Sequence, residues 1–160
     1  MVSRVNGGCH VTASTRTKEK NVMKIEEFSG EYRFLSNFWS SPLMFKGVTY
    51  ATVEHMYQAA KTSSTEQRKA ISECATPAQA KRMGRSVTMR ADWDAIKVQV
   101  MTNLVQAKFR DTELLSLLLA TGDMEIIEGN TWNDTFWGVC RGRGENQLGK
   151  ILMKVRDSHK

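Results

Sequence analysis

From Thr52 onward, apolar residues recur along the chain at helical spacing. Val53, Met56, Tyr57 and Ala60 fall at i, i+3, i+4 and i+7, one stripe of an α-helix. A second helix is predicted from residue 65 to about residue 74. Thr76-Pro77 pairs an N-cap residue with proline at the first helical position, where a missing N–H costs nothing; the short helix it opens ends near Gly84. Asp92 starts the longest stripe, formed by Trp93, Ile96, Val100, Leu104 and Phe109 with Met101 and Ala107 beside it. Thr112 opens a helix over 113–121, closed by Gly122 where left-handed backbone is favoured. Asn146 opens the last helix, with Leu148, Ile151, Leu152 and Val155 facing inward.

Elsewhere the rhythm differs. Leu43-Met44-Phe45 and Val48-Thr49-Tyr50 flank Lys46-Gly47, a turn signal between two short strands. Residues 124–128 read as a short strand, and residues 129–145 as a loop holding Gly129, Gly138, Gly142 and Gly144. Residues 1–22 have no apolar period and read as a disordered extension, or as translated sequence upstream of a start at Met23. The pattern predicts one compact, mainly α domain over 23–160, with six helices and a few short β-strands near its N-terminal part and before the C-terminal loop.

Composition narrows the function classes. The 160 residues are 41% hydrophobic and 25% charged, a globular balance that excludes disorder as the main state. No apolar run approaches the roughly 20 residues of a membrane helix, and the N-terminus has no apolar leader segment. The three cysteines, Cys9, Cys74 and Cys140, form no CxxC pair, so a reducing, cytoplasmic location is expected without a disulfide framework. The three histidines, His10, His55 and His159, are too scattered for a metal cluster, and neither metal nor cofactor is expected. Half of the net charge of +6 lies in residues 1–22, where Arg4, Arg16, Lys18 and Lys20 face only Glu19. The mildly basic body suits an anionic ligand better than a nucleic-acid groove.

Chemistry-bearing residues cluster in four places. Glu54, Gln58 and Lys61 share one face of the first helix, either a solvated stripe or the lining of a cleft. His55 points about 100° away and reads as structural. Eight aromatic residues between positions 28 and 57 read mainly as core. Trp132 and Trp137 lie in a polar, glycine-rich loop, where packing and stacking against a planar base are equally good readings. Asp134, between them, is either a turn former or a partly desolvated acid or base. The run from Arg141 to Gly149 offers arginines, glycines and a helix N-terminus, a phosphate-cradle pattern without the spacing of a P-loop. Lys81, Arg82 and Arg85 form a second basic group, with solvation as its default reading.

Several short motifs occur together in order. They are Phe34-Leu-Ser-Asn-Phe38, Thr52-Val-Glu-His-Met-Tyr-Gln-Ala-Ala-Lys61, Ala80-Lys-Arg-Met-Gly-Arg85, and Trp93-Asp94 with Lys97 and Met101. Ala107-Lys-Phe109, Leu118-Leu-Ala-Thr-Gly122, Asn133-Asp134 with Phe136-Trp-Gly138, and Gly144 through Asn146 with Leu148-Gly149, Leu152-Met153 and Arg156 follow. Over about residues 28–157 the chain resembles the YbiA-like (NADAR) family.

That resemblance implies a mainly α N-glycosidase. Two substrate types are implied: riboflavin-pathway phosphoribosylamino-pyrimidines, and ADP-ribose attached to a guanine amino group, which makes nucleic acid a candidate partner. Each joins a ribose anomeric carbon to an exocyclic amine and carries phosphate on the ribose 5-oxygen. By the same resemblance Glu54 and Asp134 are the catalytic carboxylates, with the division of labour between them open. Lys61 joins them, as a phosphate-binding or positioning group ahead of a nucleophile forming a Schiff base. The expected substrate-binding residues are Asn37, Gln58, Arg85, Trp93, Trp137, Gly138, Arg143 and Asn146. Met56 stands where the family often has an aromatic residue, and Val139-Cys140-Arg141 where it is often richer in glycine. The competing class is a non-catalytic module binding ADP-ribose or another NAD-derived nucleotide; a weaker one is a nucleic-acid binder using the basic N-terminal segment.

Overall fold

The computed structural model describes residues 22–160. The extension read over 1–22 lies, apart from Val22, outside the described residues. The elements run β1 (Lys24–Ile25), a 3-10 helix (Gly30–Leu35), β2 (Leu43–Phe45), β3 (Val48–Tyr50), α1 (Val53–Ala60), α2 (Thr65–Ser72) and α3 (Pro77–Met83). They continue through α4 (Trp93–Lys108), α5 (Thr112–Ala120), β4 (Glu125–Ile126), β5 (Gly129–Asn130), β6 (Val139–Cys140) and α6 (Gln147–Asp157). The architecture is mainly α, as expected, with the short strands arranged in three two-stranded pairs among the described residues.

Helix α4 is the centre of the core. Its Trp93, Met101, Leu104 and Val105 pack against Val53 and Tyr57 of α1 and Leu148 and Leu152 of α6, all buried. A smaller cluster of Tyr50, Ala59, Ile71 and Ala80 fastens α2 and α3 to the other side of α1. The α1 helix is therefore packed on two faces, and its remaining polar face looks into a cleft. Thr52 and Thr76 cap α1 and α3 through their hydroxyls, and Pro77 occupies the start of α3. In the β2–β3 hairpin, Lys46 and Gly47 both have positive φ, +48° and +77°, the backbone that a two-residue turn needs to match strand twist.

The other strands pair over longer range. β1 lies parallel to β4, and β5 parallel to β6. The β5–β6 pair runs through the segment expected to be loop. Residues 30–35, aromatic and interrupted by glycine, form the unanticipated 3-10 helix.

Three helix starts differ from expectation. Asp92 gives no capping bond because Arg90 takes both carboxylate oxygens, at 2.6 and 3.0 Å. The cap of α5 is Asp111 rather than Thr112; it accepts from the Glu113 and Leu114 amides. Asn146 precedes α6 in left-handed conformation, φ +53°, with no capping bond. Its side chain instead donates to the Ile126 carbonyl and accepts from the Glu128 amide.

At the C-terminal end, Lys160 pairs with Asp123 just ahead of β4, at 2.6 Å. No helix among the described residues is long and apolar enough to cross a membrane.

Candidate active site

The polar face of α1 forms one wall of a cavity of about 440 Å³. The turn after the 3-10 helix, the middle of α4 and the loop from Glu128 to Trp137 complete it. Six of the residues expected at a site line this cavity: Asn37, Glu54, Gln58, Lys61, Asp134 and Trp137.

Glu54 is buried in the first turn of α1, where the helix dipole favours a negative charge. Its amide donates to the Asn37 carbonyl at 3.1 Å, and its Oε1 accepts from Gln58 Nε2 at 2.7 Å, an i,i+4 pair. Burial raises the Glu54 carboxyl above its usual range, opposed by the Gln58 bond and by the Lys81 and Lys61 charges. The Gln58 Oε1 is buried without a partner. It lies against Gly84, where an added Cβ would stand 2.0 Å away. Asn37 is buried and points Nδ2 at Met101 Sδ, 3.4 Å away.

Lys61 closes α1. Burial lowers its amine, and Glu54 works in the opposite direction. Its Nζ lies 5.7 Å from the centre of the Tyr57 ring. Tyr57 stands edge-on to Trp137, centroids 5.6 Å apart, and Trp137 is itself held edge-on by Phe136.

Asp134 forms the turn that one of its two readings expected. Its Oδ1 accepts from the Phe136 and Trp137 amides, at 3.2 and 2.9 Å, which makes it a turn former. Asn130 grips the Asp134 backbone from both sides, accepting from its amide and donating to its carbonyl. The same carboxylate lines the cavity. The loop is thus pinned so that one short side chain orders the backbone and faces the ligand space.

The other expected residues lie elsewhere. Trp93 is 5% exposed and packs behind Tyr57, centroids 5.1 Å apart, forming a second layer rather than the wall. Gly138 lies beneath the Glu128 carbonyl, where a Cβ would come within 2.2 Å. Asn146 is the buried strut between β4 and Glu128 described above. Arg143 is exposed in a tight turn, bonded through its backbone to Cys140, so the glycine-rich run builds a turn away from the cavity. Arg85 lines a neighbouring depression that shares Phe38, Lys81, Trp132 and Asp134 with the cavity. His55 is 1% exposed, with Nε2 on the Cys74 carbonyl and Nδ1 on the Thr52 hydroxyl, which fits its structural reading.

Three charged cavity residues, Glu27, Lys81 and Glu128, went unassigned by sequence reasoning. Lys81 was grouped with solvated arginines, yet it faces Glu54 and Lys61 and lies 5.9 Å from the Trp132 ring centre. Glu128 ends the segment after β4 and lines the cavity. Its Oε2 is enclosed without a hydrogen-bond partner. Nothing in its spacing separates it from Glu125 or Glu145. Among the described residues, no group of three or more His, Cys, Asp or Glu side chains is placed to hold a metal ion.

Comparison with known proteins agrees with the motif order. The NADAR domain matches residues 24–159. The chain is 37% identical over 143 residues to N-glycosidase YbiA of Escherichia coli, covering 87% of this chain and 89% of that protein. It is 39% identical over 128 residues to a riboflavin biosynthesis protein of Vibrio vulnificus, covering 78% of this chain and 35% of that longer protein. The NMR structure of Escherichia coli YbiA superposes with a TM-score of 0.75 at 37% identity, covering 86% of this chain and 83% of that one. Matched along nearly its whole body in sequence and in fold, the chain belongs to the NADAR domain family.

Proposed function

We propose that the substrate of this N-glycosidase is a ribose whose anomeric carbon is bonded to an exocyclic amine and whose 5-oxygen carries phosphate. A phosphoribosylamino-pyrimidine of the riboflavin pathway is the substrate we favour; a relative named for riboflavin biosynthesis supports it. The observation that carries the reading is the meeting of Glu54, Asp134 and Lys61 in one aromatic-walled cavity.

Breaking the bond builds positive charge on the anomeric carbon and ring oxygen. A carboxylate fixed nearby stabilises that charge without having to reorganise, and a carboxylate also orients the attacking water. Glu54 and Asp134 are held by hydrogen bonds on one side, which suits preorganised groups. Lys61 and Lys81 provide cationic charge for the phosphate, whose binding energy is then available to orient the anomeric carbon. Trp137 and Tyr57 provide an aromatic wall for the base.

One observation favours a second substrate, ADP-ribose on a guanine amino group. The depression beside the cavity combines Arg82 and Arg85 with Trp132, which is 60% exposed. A second phosphate and another planar ring would fit such surroundings.

Chromatographic product analysis tests both. Incubation with the amine-linked phosphoribosyl pyrimidine should release ribose 5-phosphate, and a guanine-ADP-ribosylated oligonucleotide should release ADP-ribose if the second substrate is used. Glu54→Gln and Asp134→Asn should each cut turnover by at least ~100-fold in folded protein. Binding of ADP-ribose with no release from either substrate would instead identify a binding module.

A further inference from the structure

Four carboxyl groups, Glu27, Glu54, Asp134 and Glu128, line the cavity, and they differ in how they are satisfied; Glu27 accepts from the Ser29 hydroxyl at 2.9 Å. Glu54 accepts from Gln58, and Asp134 accepts from two backbone amides. The enclosed Oε2 of Glu128 accepts from nothing. An ionised oxygen there would lose its water without gaining a donor, whereas a protonated carboxyl needs no counter-charge. The backbone of Glu128 is nonetheless tightly fixed. Its amide donates to Asn146 Oδ1 at 3.0 Å, its carbonyl accepts from the Val139 amide at 2.8 Å, and Gly138 packs directly against that carbonyl.

The surroundings act in the same direction. Burial, followed by the Asp134 and Glu54 charges, pushes the Glu128 carboxyl up to about 8, with Lys81 pulling the other way.

We propose that Glu128 is the acid of the reaction: it holds a proton in the resting enzyme and delivers it to the exocyclic nitrogen as the bond to the anomeric carbon breaks. An amine leaves poorly as an anion, so this proton lowers the cost of cleavage. The bonding pair goes to nitrogen together with the Glu128 proton. Water oxygen then bonds the anomeric carbon, its proton passes to Glu54 or Asp134, and exchange with solvent restores the acid.

The proposal rests on the N-glycosidase reading above, and two measurements keep the two separable. The first compares wild type with Glu128→Gln on the amine-linked phosphoribosyl pyrimidine and on 4-nitrophenyl ribofuranoside 5-phosphate, whose leaving group departs without a proton. The variant should lose at least ~100-fold in kcat on the amine and keep most of its rate on the nitrophenyl compound. The alkaline fall in kcat/KM for the amine should disappear with it. Equal losses on both compounds, no loss on either, or an unchanged alkaline limb would overturn the proposal. The second measurement needs no turnover: the infrared difference spectrum between wild type and Glu128→Gln at pH 7. A carboxylic-acid carbonyl band lost in the variant is expected; a carboxylate band in its place would rule out the acid role even if the wild type cut neither compound. A wild type inactive on the amine would count against the N-glycosidase substrate reading, with the infrared result still deciding the protonation of Glu128.

Discussion

At the scale of single residues, Gly84 shows how closely the site depends on an absent side chain. Its backbone is helical, so alanine would gain up to about 1 kcal/mol in helix propensity. The new Cβ would, however, meet Gln58 Oε1 at 2.0 Å. The end of a glutamine side chain can move away, and moving it breaks the bond that orients Glu54. Because Gln58 Cδ and Cβ would also come within 2.7 and 3.0 Å, Gly84→Ala should lower both the melting temperature and kcat, measured on the same purified protein. Loss of stability with intact turnover would show that Gln58 does not position Glu54. Only part of this was legible in the sequence. Helical spacing put Glu54, Gln58 and Lys61 on one face because a period is a local property. Which side chain stands free of partners is set by contacts between distant segments, and so Glu128 went unrecognised. Arg143 stands outside the cavity lining for a related reason: its loop has the composition of a cradle, but positive φ at Arg141 and Gly142 folds it into a turn on itself.

At the scale of elements, the turn that carries Asn37 is held by α4. Lys108, 2% exposed, donates from its Nζ to the Phe34 and Ser36 carbonyls. Burial pulls its amine down to about 7, while two carbonyl acceptors favour the charged form. Asn37 follows directly, and its carbonyl receives the Glu54 amide. A methionine at position 108 would fill similar space and leave two carbonyls without a donor. Lys108→Met should cost roughly 2–5 kcal/mol in urea unfolding, because unsatisfied buried groups are expensive. It should also raise KM, since Asn37 loses its anchor. An unchanged unfolding midpoint would mean that water replaces the ammonium. The sequence predicted α3 and the β2–β3 hairpin well, because Thr76-Pro77 and Lys46-Gly47 determine backbone locally. It did not predict the 3-10 helix, whose support comes from a lysine 74 residues further along the chain.

At the scale of the whole molecule, the enclosed Glu128 sets a pH dependence of stability. Its carboxyl is raised from the ordinary 4.5 to about 8. Between those values the folded protein holds this proton more tightly than the unfolded chain, so unfolding releases it. Its contribution to stability is full below the unfolded value and is lost as pH rises through the window. Urea unfolding of wild type should show a decline between pH 5 and pH 8 that is shallower in Glu128→Gln. Identical slopes would mean that Glu128 titrates alike in both states. A site built this way carries a standing cost to the fold at neutral pH, and the α4-centred core is what offsets it.

The pairing of β1 with β4 and of Lys160 with Asp123 brings the two ends of the described body to one place. Such a body can be spliced into a longer polypeptide with two short joints and no rearrangement of its interior. It can equally be closed end to end and reopened at an exposed turn such as Lys46-Gly47, leaving the cavity untouched. A domain of this kind travels between proteins as a self-contained cassette.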